Sequence, residues 1–251
     1  MIPHISHYFW FGGAPKPEVV IKCIDSWKEY FPDWEIKEWN EANYDIKQNK
    51  YMVDAYSLKK YAFVSDYARF DILYKHGGIY VDVDVEFIKR IPEELLQLNC
   101  FTGFQGTGEV SPGLIFAVEP NHWLCKEILD SYNNERFIYN EKGIYKTINM
   151  RTSEILEKYG LLKQNEYQKV KDIHIFPSEY FCGYDTDIRE PIITNNTICW
   201  HHYLGSWGQK NIKRKLQDIL KKVIGKESYK RLILLKRKIK NRVKNDRFLS
   251  C

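Results

Sequence analysis

A Gly-Gly pair set between a helix-patterned run and an alternating acidic run constrains this chain more than any other feature. Tyr61 to His76 carries Ala62, Tyr67, Phe70, Leu73 and Tyr74 along a helical repeat, and Gly77-Gly78 ends it, glycine being the residue that most readily takes a left-handed backbone. Ile79-Tyr80-Val81-Asp82-Val83-Asp84-Val85-Glu86 follows with a period of two, which predicts a strand fed directly by the helix. Alternation places Val81, Val83 and Val85 on one face and Asp82, Asp84 and Glu86 on the other. Carboxylates about 6–7 Å apart repel unless a cation or water screens them, and Mg²⁺ or Mn²⁺ prefers such oxygens and completes its shell with substrate phosphates. A solvated acidic edge strand would carry the same letters, so the motif needs support from elsewhere in the chain.

The flanking segments alternate between strand and helix patterns. Ile5 to Phe11 is an apolar opening run that ends at Gly12-Gly13, and Val19 to Tyr30 follows with Val20, Cys23, Ile24 and Trp27 at helical spacing. Glu35–Trp39 alternates as a second strand, and further strands are expected at Phe101–Phe104, Leu114–Val118, His174–Phe176 and Thr197–Trp200. Helices are expected at Trp123–Asn133 and Thr147–Tyr159. This order predicts an α/β protein with a mostly parallel sheet, whose ligands sit beyond the carboxyl ends of the strands.

With 251 residues, 44% of them apolar, the chain has enough material for one domain core. Its six cysteines are scattered with no CxxC pair, which predicts reduced, buried thiols. The N-terminus has no basic region followed by an apolar run, and no stretch reaches the ~18 apolar residues of a spanning helix, so a cytoplasmic protein is expected. Charge is unevenly spread: residues 210–247 hold 16 Lys/Arg against 3 acidic residues, a net of +13, which leaves −8 on the remainder of a chain of net +5. Two apolar stripes run through this segment, Leu216, Ile219, Leu220, Val223, Ile224 and then Leu232, Leu235, Ile239, Val243, broken at Gly225. The expected division is therefore a body over 1–208 and a basic amphipathic helical tail over 209–251. That tail suits an anionic membrane surface, or packing on the body, better than nucleic acid, because it lacks interleaved aromatics apart from Tyr229 and Phe248.

Two further groups of residues accompany the aspartates. Asp66 and Arg69 share a helix face at i and i+3, a spacing that an ordinary surface ion pair would also have. Cys199-Trp200-His201-His202-Tyr203-Leu204-Gly205-Ser206-Trp207 packs two imidazoles, a hydroxyl and two indoles after a strand-like run. A neutral imidazole can join carboxylates around Mn²⁺. A buried aromatic corner is the competing reading, weaker for His202 and equal for His201.

Four ordered blocks together carry a resemblance: Ile5 to Gly12, Tyr61 to Arg69, Gly77 to Asp84, and His202 to Trp207. They resemble the DXD-containing sugar transferases that include bacterial capsular polysaccharide enzymes and yeast-type initiating α-mannosyltransferases, with large glucosylating toxins as distant relatives. The resemblance implies a GT-A fold, a nucleotide diphosphate sugar as donor, a UDP-sugar being favoured, a saccharide or lipid-linked oligosaccharide acceptor, and transfer with retention. Trp10 would stack on the donor's base, with Phe9 and Phe11 beside it, and Asp66 and Arg69 would contact ribose and sugar hydroxyls. Asp84 would bind the metal and Asp82 would bridge to it through water and the sugar. His202 would add a metal or phosphate contact, with Ser206 and Trp207 holding the pyrophosphate. The chain departs from many relatives in the middle of the domain, where it reads Gly143-Ile144-Tyr145-Lys146-Thr147 in place of a Gly-Pro segment. A metal-dependent phosphohydrolase or nucleotidyltransferase, or a non-catalytic nucleotide-sugar binder, would also use paired aspartates.

Overall fold

A computed structural model of the chain describes residues 1–106, 108–138, 145–185, 188, 190–204 and 219–236. Its strands are β1 (Ile5–Phe9), β2 (Glu35–Trp39), β3 (Gly78–Tyr80), β4 (Val85–Phe87), β5 (Cys100–Gly103), β6 (Phe116–Val118), β7 (Gln168–Val170), β8 (Ile173–Phe176), β9 (Tyr184–Asp185), β10 (Glu190–Pro191) and β11 (Cys199–His201). Its helices are α1 (Glu18–Tyr30), α2 (Lys50–Ser57), α3 (Tyr61–His76), α4 (Glu93–Leu96), α5 (Trp123–Asp130), α6 (Ile148–Glu157) and α7 (Ser178–Phe181), with a 3-10 turn at Ile46–Gln48 before α2.

The main sheet has the order β2-β1-β3-β6-β5-β8-β7. Among the described residues, five of its seven strands run the same way, while β6 and β7 run against their neighbours. The expected α/β class with a mostly parallel sheet therefore holds. Both faces are covered. Phe9, Tyr80 and Phe116 enter one core with Phe70 and Leu73 of α3, and Tyr8, Ile79 and Ala117 enter the other with Val20 and Trp27 of α1. Burial on both faces leaves β1 no solvent side, and its polar residues Ser6 and His7 are buried with the rest.

The Gly-Gly junction does what its letters require. Gly77 and Gly78 have φ of 64° and 94°, and a Cβ on Gly78 would sit 2.6 Å from the Ile5 carbonyl oxygen. This close approach lays β3 beside β1 immediately after α3 ends.

The predicted strand Ile79–Glu86 is corrected. β3 stops at Tyr80, and Asp82 to Val85 form a turn closed by the Val85 N–H donating to the Asp82 carbonyl at 3.0 Å. β4 then leaves the main sheet to pair antiparallel with β11. The turn lets Val81 and Val85 both reach full burial, on a segment that α1 grips through Trp27 Nε1 donating to the Val85 carbonyl at 2.7 Å.

The chain forms two compact units, one of Met1–Tyr184 with Pro191–Trp207, the other of Asp185–Glu190 with Gly208–Cys251. In the second, residues 219–224 and 226–236 are helical on either side of Gly225, whose φ is 81°. Lys221 and Lys226 lie 3.0 and 3.2 Å from Glu190. Ile219, Val223 and Leu235 of the two apolar stripes are exposed, while Leu216, Ile239 and Val243 lie outside the described residues. Among the described residues, no helix is long and apolar enough to cross a membrane, and the five cysteines are buried.

Candidate active site

The site lies where β1 and β3 end, the position at which parallel α/β sheets open their ligand crevices. Trp10 follows β1 and Asp82 follows β3, two strands paired in parallel through His7 and Tyr80. The turn after β3 folds Asp84 back toward Asp82, which strand alternation alone would not do. His201 completes the group: its Nε2 lies 3.1 Å from Asp84 Oδ1 and 3.9 Å from Asp82 Oδ2.

Asp84 is held on every side. Its Oδ2 accepts the Leu204 N–H at 2.9 Å and its carbonyl accepts the His202 N–H at 2.9 Å. Burial alone would raise its pKa, but His201 and the Leu204 N–H outweigh it and hold the carboxyl below the usual carboxylate range. For His201, burial would lower the pKa, yet Asp84 and then Asp82 raise it. Asp82 is fixed differently. Its N–H donates to the Gly113 carbonyl at 2.8 Å, Tyr80 donates its phenol proton to Oδ1 at 2.7 Å, and the carboxylate rests against Gly113, where a Cβ would stand 2.1 Å from Oδ2.

The α3 pair lies behind Asp82. Arg69 donates from Nη2 to Asp66 Oδ1 at 2.8 Å, and from Nε to the Ser65 carbonyl at 3.1 Å. Its Nη1 is buried with no hydrogen bond to the described residues and lies 3.5 Å from Asp82 Oδ1. Burial pushes Asp66 up to about 6 against the pull of Arg69. For Arg69, burial alone would lower the pKa, but the Tyr80 phenol and the carboxylates of Asp82 and Asp66 outweigh it and hold the guanidinium charged.

Asp82, Asp84 and His201 each offer a ligand atom, and these atoms lie within 4.8 Å of one another. Two carboxylates and an imidazole form a donor set suited to Mn²⁺ or Mg²⁺. The glycine cradle under Asp82 and the unbonded arginine nitrogen aimed at it fit a group whose carboxylate must stay at the surface of the crevice.

The expected residues are only partly brought together. Asp82, Asp84, Asp66 and Arg69 form one connected set. Trp10 stands at the neighbouring strand end, half-buried, its Nε1 donating to the Ala14 carbonyl at 2.6 Å and Lys16 Nζ 5.6 Å from the ring centre. Phe9 and Phe11 are corrected from donor contacts to core residues. Both are buried, stacked on each other at 5.4 Å, and packed around Tyr44. His202 is corrected as well. β11 ends at His201 and Tyr203 turns with φ 52°, so only the backbone of His202 faces Asp84. Its Nε2 lies 2.8 Å from Glu86, which Lys22 also meets at 3.0 Å, and its ring centre lies 3.8 Å from that of Trp200, tilted by 35°. Glu86 is thereby drawn out of the carboxylate cluster. Ser206, Trp207, Gly143 and Ile144 lie outside the described residues. Sequence reasoning missed Tyr80 and Gly113 and rated His201 no higher than a structural residue. The Tyr80-x-Asp82 spacing was the one available signal.

Residues 17–102 match the family described as a glycosyltransferase sugar-binding region containing a DXD motif. That span includes Asp66, Arg69, Asp82 and Asp84, but neither Trp10 nor His201. An uncharacterized glycosyltransferase of Acanthamoeba polyphaga mimivirus is 23% identical over 224 residues, covering 82% of this chain and 84% of that protein. The human alpha-1,4-N-acetylglucosaminyltransferase is 40% identical over 74 residues, 28% of this chain and 20% of that enzyme, so this chain spans about a fifth of its length. The solved PaToxG glycosyltransferase superposes with a TM-score of 0.46 at 18% identity, covering 62% of this chain and 68% of that one.

Proposed function

We propose that this protein is a retaining glycosyltransferase that takes a sugar from a nucleotide diphosphate donor, a UDP-sugar being favoured, and passes it to a saccharide acceptor. The observation that carries this reading is the convergence of Asp82, Asp84 and His201 beside Trp10 at the carboxyl ends of β3 and β1, inside and next to the span that matches DXD glycosyltransferases.

Each residue has a task that its surroundings suit. Trp10, its indole tied to Ala14, offers a flat face for the base. Asp66 and Arg69 orient ribose and sugar hydroxyls through a buried pair whose geometry is set before the donor arrives. Asp82, Asp84 and His201 would hold a divalent cation, Mn²⁺ or Mg²⁺. When bound, that cation supplies Lewis-acid stabilisation of the diphosphate that leaves. Retention fits same-face attack, in which the departing phosphate accepts the acceptor's proton, since no residue in the cluster compels a covalent intermediate.

The reading extends to a lipid-linked acceptor in capsule, O-antigen or exopolysaccharide synthesis, with the protein on the inner face of the cell membrane. The basic segment 210–247 supports this, because Lys and Arg near an anionic surface contribute about 1 kcal/mol each and the exposed Ile219, Val223 and Leu235 give an apolar stripe. Flotation with anionic liposomes, with and without residues 209–251, tests it, and equal binding by both forms removes the docking role.

The experiment for the main reading is titration calorimetry of UDP and of GDP, with and without Mn²⁺, on the wild type and on Asp84→Asn. Metal-dependent binding of one nucleotide, lost in the variant, is expected. Binding of neither would favour a phosphohydrolase or a non-catalytic scaffold.

A further inference from the structure

A second concavity lies outside the aspartate site. It encloses about 380 Å³ between residues 48–50, at the start of α2, and residues 132–136, in the turn after α5. That volume is at the small end of ligand pockets, which run roughly 300–1,000 Å³.

Its walls are set without a ligand. Gln48 Nε2 donates to Asp71 Oδ2 at 3.2 Å, and Arg136 Nη2 donates to Asp54 Oδ1 at 2.6 Å. Glu135 pairs with the Arg151 guanidinium. These contacts satisfy the acid and the guanidinium of the lining within the protein. Among the described residues, the side chains of Lys50 and Asn134 make no hydrogen bond or ion pair, and Asn133 has one long amide contact to Asp130, at 3.4 Å. What is left for a ligand is one ammonium and two carboxamides. Carboxamides both donate and accept, as a ring of hydroxyls requires.

The cleft adjoins the α3 residues of the active site through Tyr132. That ring lies under the Arg151 guanidinium at 3.8 Å and packs edge-on against Tyr51 at 4.9 Å and Tyr67 at 5.5 Å. Arg151 and Tyr132 are both within electrostatic reach of Asp66. A chain of packed groups thus links the cleft to the carboxylate assigned to the donor sugar.

We infer that this cleft is a saccharide subsite, holding an uncharged sugar unit of the acceptor away from the reacting end. The inference rests on the transferase reading, and its test separates the two. Asn134 has φ of 66°, so Asn134→Gly keeps its backbone while deleting the carboxamide, and Lys50→Ala keeps a good helix former at the start of α2. The full chain, wild type and doubly substituted, would be titrated with methyl glycosides of glucose, galactose, mannose and N-acetylglucosamine, and with inorganic phosphate, while amide resonances are followed. At least one glycoside is expected to shift Asn133 and Asn134 in the wild type. The double variant should bind it about tenfold more weakly, the effect of one or two lost hydrogen bonds, with Mn²⁺-dependent nucleotide binding unchanged. No glycoside response, a response to phosphate alone, or equal response in the variant overturns the subsite. Failure of the transferase reading shows differently: the wild type then binds neither UDP nor GDP, and the acceptor role falls with it.

Discussion

His201 Nε2 lies 3.1 Å from Asp84 Oδ1 while its Nδ1 accepts the Tyr203 backbone N–H at 3.0 Å. The imidazole is therefore gripped from behind by its own strand end and points its second nitrogen, with a hydrogen, at the aspartate. The residues just after β11 also supply the N–H groups of His202 and Leu204 to Asp84, so one short segment from late in the sequence orients the second aspartate of the motif.

A cation taken up through Nε2 moves that hydrogen to Nδ1 at the expense of the Tyr203 contact, and it competes with the second proton of the imidazolium form. His201 is raised above its ordinary pKa by Asp84 and Asp82 against burial, so below that value Mn²⁺-dependent nucleotide affinity should climb about tenfold per pH unit and level off above it. Calorimetry from pH 6 to pH 8 measures this. His201→Gln should lower the affinity roughly ten- to hundredfold and flatten the profile, whereas His202→Gln should keep the pH slope. The opposite pattern would return the metal role to His202.

Gly113→Ala tests the cradle under Asp82. A methyl group 2.1 Å from Oδ2 cannot be accommodated without moving the carboxylate, but the atom it meets is the far end of a side chain, so the backbone need not yield. The expected result is a thermal midpoint close to that of the wild type together with at least tenfold weaker metal-dependent nucleotide binding, about 1.4 kcal/mol. Unchanged binding would show that Asp82 is free to swing.

The fold class and the principal aspartates were legible because both rest on local patterns: a helix-period run, a glycine stop and an acidic repeat. The break inside Ile79–Glu86 was not, since alternating valines and acids fit a strand and a turn between two sheets equally well. Which of the adjacent histidines faces the aspartates depends on where β11 ends, which its pairing with β4 and the left-handed backbone of Tyr203 fix. Phe9, Trp10 and Phe11 read alike as letters. Only alternation of the backbone, which turns Phe9 and Phe11 into the core around Tyr44 and leaves Trp10 between them half-buried, separates the three.

Trp10→Ala should weaken UDP or GDP binding by roughly 1–3 kcal/mol, the usual effect of removing one aromatic from a base stack, and should leave the turnover of saturated enzyme nearly unchanged. The Ala14 contact predicts that Trp10→Phe, which keeps a ring but loses the Nε1 donor, recovers only part of the affinity. Competition binding with the nucleotides measures both, and an affinity unchanged in Trp10→Ala would remove the residue from the donor site.

His7 connects the strand junction to acid stability. It is fully buried, with Nε2 2.9 Å from the Gly77 carbonyl and Nδ1 accepting Trp39 Nε1 at 3.2 Å. Burial pushes its pKa down to about 4, reinforced by His76 and Lys37 against the Gly77 contact. Above pH ~6.5 the ring is neutral in both folded and unfolded chains and contributes no pH dependence. As pH falls from there toward 4, only the unfolded chain takes up the proton, and the folded state loses about 2 kcal/mol by pH 5. Urea midpoints at pH 7.5 and pH 5 should therefore fall further for the wild type than for His7→Gln, whose packing cost is the same at both values. Equal falls in the two proteins would mean that His7 can protonate in place, and that the junction of β1, α3 and β3 opens far enough to hydrate it.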